Sequence, residues 1–190
     1  MFKKRWWNGF GRFLLVTTAA VLFLSACGGT HELAETLIQE GDPLGAKVGD
    51  KAIDFTLPTP DGRGVSLEQY KGSPVVLYFW ASWCGTCTFD LPDLEDAANW
   101  GADEDLVIIT VNIGEQIEFV KGFVEETVGD DYRFIVASDT TLATFRQYRI
   151  LSFPTTFFVD ANGIIRDMRI GRINEKILAE KIQGIQGSDA

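Results

Sequence analysis

The chain reads as an α/β protein built on a mixed central sheet with helices on both faces. Three observations predict this. Val75 to Ala81 (V-V-L-Y-F-W-A) is a nearly continuous apolar run, the pattern of a strand buried on both faces. Runs of this kind alternate with segments of helical periodicity, which implies a mainly parallel sheet. A last pair of runs, Thr155 to Asp160 and Ile164 to Ile170, brackets Asn162-Gly163 and reads as a hairpin, adding an antiparallel edge.

Taken in order, Ile53 to Leu57 and Val65-Ser66 read as short strands around a turn at Asp61-Gly62, an N-terminal β-hairpin extension. After the Val75 strand, the spacing of Leu91, Leu94 and Ala98 predicts a helix from about Cys84 to Asn99, kinked at Pro92 and ending near Gly101. Leu106 to Ile113 is a second central strand. Glu115 to Val128 is a helix with Ile117, Val120, Val124 and Val128 on one face, and Phe134 to Ala137 is a short strand. Thr140 to Tyr148 is a helix. Asn174 to Gln186 is the last one, with Leu178, Ile182 and Ile185 inward. There is no internal repeat and no low-complexity segment.

Length and composition set limits. The 190 residues are 46% hydrophobic and 23% charged, which is enough for one domain with a real core plus a leader and a tether. Four of the 17 bases, Lys3, Lys4, Arg5 and Arg12, lie in the first dozen residues, which leaves 13 bases against 27 acids for the remainder. A body that acidic offers no phosphate-neutralising patch, so nucleic acid is excluded as a partner, and an anionic membrane surface does not attract it. One histidine, His31, and three cysteines, Cys27, Cys84 and Cys87, are too few for an imidazole-rich metal site or a disulfide framework. No metal and no cofactor are implied.

The N-terminus has the three parts of a secretory signal: a basic start, an apolar run from Phe13 to Leu24 that is too short to span about 30 Å of hydrocarbon, and small residues before Cys27. Leu24-Ser25-Ala26-Cys27 resembles a bacterial lipoprotein box. The resemblance implies cleavage before Cys27 and acylation of its thiol, and two or three acyl chains anchor stably where one does not. The expected organisation is therefore a signal peptide over 1–26, the lipidated cysteine and a tether over 27–48, and a folded domain over 49–190. Residues 28–49 contain one short helical stretch, Glu32 to Gln39, and His31 falls in this tether.

The chemistry concentrates in Trp83-Cys84-Gly85-Thr86-Cys87, where the buried strand meets a helix N-terminus. The helix dipole and its free N–H groups lower the pKa of a thiol there, which favours the reactive thiolate. Cys84 would be the exposed nucleophile. Cys87, three residues on and on the same face, is placed to resolve a mixed disulfide. A zinc half-site lacks two further ligands, and a purely structural C-x-x-C disulfide closes too short a loop to stabilise much.

Ser152-Phe153-Pro154-Thr155-Thr156 before an apolar strand, together with that motif, resembles the thioredoxin fold. G-D-K-A-I-D-F-T-L, K-G-S-P-V-V-L-Y-F-W-A-S-W-C and F-P-T-T-F-F-V-D-A-N-G resemble its TlpA/ResA-like extracytoplasmic branch over about residues 49 to 171. The resemblance implies a thioredoxin-like fold with a central helix–strand insertion over Glu115 to Val128 and the strand after it. It implies a cis-proline at Pro154, with Phe153 and Thr155 facing substrate; Trp83, next to the nucleophile, reads as part of the site surface and Trp80 as core. It also implies thiol–disulfide exchange in the reducing direction, as in cytochrome c maturation or thiol repair. Its partners would be protein disulfides and dithiols, a membrane thiol relay as electron donor, and the membrane itself through Cys27. The expected location is the outer face of the bacterial cell membrane or the envelope, and the expected state a monomer.

There are departures from the branch. The inter-cysteine dipeptide is Gly-Thr without proline, and Tyr78 stands where cytoplasmic thioredoxins have a buried aspartate. Asp90 occupies the place of an acid that the branch often carries after the second cysteine. It is either a proton acceptor for Cys87 or a solvated acid in an early helical turn. Three other functions compete. A disulfide-forming oxidant would run the same steps backward. A copper-binding assembly protein similar to the SCO type needs a histidine beyond His31, and the chain has none. A peroxiredoxin needs a threonine and a proline where this chain has Ala81 and Leu77.

Overall fold

The computed structural model describes residues 45–100 and 105–186. The signal peptide, Cys27, His31, the stretch Glu32 to Gln39 and the helix end near Gly101 lie outside the described residues.

Five strands form one sheet in the order β3-β2-β1-β4-β5. They are β1 (Val75–Trp80), β2 (Val107–Ile113), β3 (Ile135–Asp139), β4 (Thr155–Val159) and β5 (Ile165–Ile170). β1 pairs in parallel with β2, and β2 with β3. β4 pairs antiparallel with β1 on its other side and with β5. The sheet is thus evenly mixed rather than mainly parallel, because the closing hairpin lays its first strand directly against the central strand. All six residues of β1 are buried.

Strand alternation divides those six residues between two cores. Val76, Tyr78 and Trp80 face one layer with helices α1 (Gly85–Trp100), α2 (Ile117–Val128) and α4 (Glu175–Gln186). Leu91, Leu94 and Ala98, Val120 and Val124, and Leu178, Ile182 and Ile185 fill it. Val75, Leu77 and Phe79 face the other layer, with the short helix α3 (Ala143–Tyr148) and the segment around Phe55 and Leu57. The expected helix–strand insertion is α2 with β3, which places β3 at one sheet edge.

Two details differ from expectation, each for a local reason. The N-terminal hairpin reduces to a single bridge, Leu57 to Val65, with two backbone hydrogen bonds of 3.0 and 2.8 Å. Pro58 and Pro60 cannot donate to a ladder, and after Ser66 the chain enters a 3-10 turn at Leu67–Tyr70. α3 starts at Ala143 rather than Thr140, because Leu142 is left-handed (φ 61°) and the Asp139 carboxylate caps the N–H groups of Ala143 and Phe145. Pro92 lies inside α1.

Leu94 is fully buried under α1. Leu94→Ala should cost about 2–5 kcal/mol, read from the denaturant midpoint of the full chain.

Candidate redox site

β1 ends at Trp80 and α1 begins at Gly85, so four residues carry the chain from the buried strand to the helix. The turn is tight: the Cys84 N–H donates to the Ala81 carbonyl at 3.1 Å. The Cys84 carbonyl then accepts from the Cys87 and Thr88 N–H groups at 2.9 and 3.4 Å, which makes Cys84 the N-cap of α1. Cys84 and Cys87 are joined as a disulfide, S–S 2.05 Å. The Thr86 hydroxyl lies 3.4 Å from the Cys84 sulfur; a disulfide sulfur has no proton to give, so the hydroxyl donates.

The two sulfur-bearing residues are unequal. Cys84 keeps 8% of its surface exposed and Cys87 none. Trp83 beside Cys84 is 69% exposed, and its ring meets Phe153 edge-on at 5.5 Å. The Phe153–Pro154 peptide is cis, and the Pro154 carbonyl accepts the Gly171 N–H at 2.8 Å. The structure therefore brings Trp83 and Phe153 together from segments far apart in sequence. Thr155 points the other way. It is buried, and its hydroxyl donates to the Ser152 carbonyl at 2.7 Å, so it steadies the proline loop instead of presenting a side chain outward. Trp80 is fully buried in the core.

Asp90 lies one turn after Cys87 on the same helix and is fully buried, not solvated. Three donors surround its carboxylate. The Tyr78 hydroxyl donates to Oδ2 at 3.0 Å and also lies 3.3 Å from the Cys87 carbonyl oxygen. The Ile173 N–H donates to Oδ2 at 3.2 Å, and Arg172 Nε to Oδ1 at 3.2 Å. Burial pushes the Asp90 carboxyl above the usual range, and the Ile173 N–H, the Tyr78 hydroxyl and Arg172 pull against it without cancelling it. Burial, with the neighbouring Asp90 charge, also pushes the Tyr78 phenol far up, so it stays protonated and acts as a donor.

A second carboxylate holds the approach to Cys84. Glu115, half-buried after β2, accepts the Ser82 hydroxyl at 2.6 Å and the Ser82 N–H at 2.9 Å. It also accepts the Asn112 amide at 2.6 Å, while the Ser138 hydroxyl donates to its carbonyl. Sequence reasoning took Glu115 as the first residue of a helix, but α2 begins at Ile117 and the side chain turns back to Ser82. Glu115, Ser82, Tyr78 as a hydroxyl donor and Arg172 were not found as site residues from sequence. Only Tyr78 carried a signal, as a phenol inside an otherwise apolar strand.

Comparison with known proteins places this geometry. A model of the AhpC/TSA family matches residues 48–168, well over half of the chain. The chain belongs to that family, on its TlpA/ResA-like thioredoxin branch. The thiol–disulfide oxidoreductase ResA of Geobacillus thermodenitrificans is 27% identical over 175 residues, covering 92% of this chain and 97% of its own length. A solved structure described as DsbE, a thiol:disulfide interchange protein from Chlorobium tepidum, superposes with TM-score 0.68 and 30% identity, covering 75% of this chain and 99% of that one. The exposed lipoprotein thioredoxin of Streptococcus pneumoniae superposes with TM-score 0.59 and 33% identity, covering 70% and 99%. The chain is accordingly a thiol–disulfide oxidoreductase with a thioredoxin-like fold.

Two stability outcomes test the electrostatics. Glu115→Ala strands two donors of Ser82 and one of Asn112 and should cost about 1–3 kcal/mol, with Glu115→Gln milder because a carbonyl acceptor remains; chemical unfolding reads both. Asp90 is harder to ionise in the folded chain than in the unfolded one, so stability falls as pH rises from its unfolded pKa to its folded one and the cost is complete above the latter. Asp90→Asn should therefore melt higher than the natural chain at neutral pH. The gap should close as acid protonates Asp90, in melting curves taken from pH 8 down to 4.

Proposed function

We propose that Cys84 is the nucleophile, Cys87 the resolving thiol and Asp90 the proton acceptor of a reductase acting on exported proteins. The asymmetry of the pair carries this reading: only Cys84 reaches the surface, while Cys87 is sealed, and the buried Asp90 follows it by three residues on the same helix. The Cys84 thiolate attacks one sulfur of a client disulfide, forming the Cys84–client disulfide and releasing the first client thiolate. Cys87 passes its proton to Asp90, and its thiolate attacks the Cys84 sulfur. The Cys84–Cys87 bond forms, the second client thiolate leaves, and the proton on Asp90 returns to it. Two electrons move from the enzyme dithiol to the client.

Trp83 and Phe153 form the client-facing rim, and the buried cis-Pro154 shapes the loop that carries Phe153. Trp83 and Phe153 supply apolar area, and the loop supplies backbone. Each cycle ends with an oxidised pair, so a membrane dithiol relay must restore it. The Leu24-Ser25-Ala26-Cys27 box and the likeness to an exposed lipoprotein thioredoxin support a chain held outside the cell membrane by lipid on Cys27. Among the described residues no helix is long and apolar enough to cross a membrane. The reducing direction, in cytochrome c maturation or thiol repair, is what the resemblance of the sequence motifs to the TlpA/ResA-like branch implies.

Cys87→Ser should trap a Cys84–client disulfide that thiol reductant releases, seen as a shifted band on non-reducing gels, while Cys84→Ser should trap none. Equilibration of the full chain with dithiothreitol should give a potential near or below about −230 mV. A value near about −120 mV would instead assign it to disulfide formation.

A further inference from the structure

We propose that Arg172 is a positioning residue for disulfide resolution: it is the counter-ion that holds Asp90 as a carboxylate, ready to take the Cys87 proton. This rests on the role of Asp90 proposed above. The geometry is specific. Asp90 is sealed from solvent, yet the Arg172 side chain is 56% exposed, so a surface guanidinium reaches inward to a buried acid. It is fixed there from two sides. Its Cζ lies 5.8 Å from the centre of the Phe89 ring, and its backbone carbonyl accepts Arg169 Nε at 3.2 Å.

The charges around Asp90 make Arg172 decisive. Tyr78 from β1 is neutral and can donate only one proton. The Ile173 N–H is a dipole. On the helix, Cys87 is neutral before resolution, and Asp93 is an acid whose Oδ2 lies 4.0 Å from Arg172 Nη2. Asp96 and, from α4, Glu175 add negative charge near Asp93 and push its carboxyl up after burial does so. Arg172 is thus the one cation facing the site among these groups, set in a chain of net charge −10. A neutral side chain in its place leaves a buried carboxylate among acids, and such a group takes up a proton. A protonated Asp90 cannot accept a second proton from Cys87.

Stopped-flow oxidation of the reduced full chain by the uncharged reagent dithiodipyridine separates the two thiols. Cys84 attack releases the first thiopyridone and leaves a Cys84–pyridyl disulfide. Cys87 attack on Cys84 releases the second and closes the Cys84–Cys87 bond. Arg172→Gln should move the pH midpoint of the second phase up by about one pH unit. Below that midpoint the phase should slow roughly tenfold, and Arg172→Lys should restore most of both. In an Asp90→Asn background, Arg172→Gln should move nothing further. A second-phase midpoint that responds to Asp90→Asn but not to Arg172→Gln overturns the role of Arg172 and leaves that of Asp90 standing. A midpoint unmoved by Asp90→Asn overturns the role of Asp90 itself.

Discussion

β1 has a sheet neighbour on each side and an apolar layer on each face, and the chemistry hangs from its C-terminal end. A strand enclosed in this way has no freedom to slip, because a shift of one residue would exchange Tyr78 and Trp80 for Leu77 and Phe79. The four residues after it therefore start from a defined point and direction. The helix that follows presents its first N–H groups where the disulfide sits, so the sheet core decides where the reactive sulfur emerges.

The same alternation places Tyr78 under α1, and the buried acid depends on that. Ionising a carboxyl out of water costs several kcal/mol even after relaxation. A hydrogen bond to a charged group returns about 1.5–3 kcal/mol. Three donors, drawn from β1 and from the turn before α4, thus nearly offset the cost, and the carboxyl remains harder to ionise than one in water. Such a balance makes each donor count.

The two carboxylates near the disulfide do different work because of depth. Glu115 is half-buried and spends its oxygens on Ser82 and Asn112, which clamps the loop leading to Cys84. Asp90 is fully buried behind Cys87 and meets no solvent. One holds the approach to the outer sulfur in shape; the other ties α1 to β1 and to the turn before α4. In this chain Tyr78, Arg172 and the Ile173 N–H together satisfy the buried acid.

The sequence by itself determined whatever depends on neighbours along the chain. Apolar period placed β1, β2 and four helices to within a few residues, and the Cys84–Cys87 spacing at a strand-to-helix junction marked the redox centre. Asn162-Gly163 marked the closing hairpin, and Pro154 was legible through its motif. The tertiary structure alone decided the antiparallel join of β4 to β1, the loss of the N-terminal hairpin to a single bridge, and the choice between a solvated and a buried Asp90. It alone paired Asp90 with Arg172 across 82 residues and Ser82 with Glu115 across 33. Periodicity records which face of an element is apolar. It carries no information on which distant donor will meet a polar group, since that depends on how the faces are stacked.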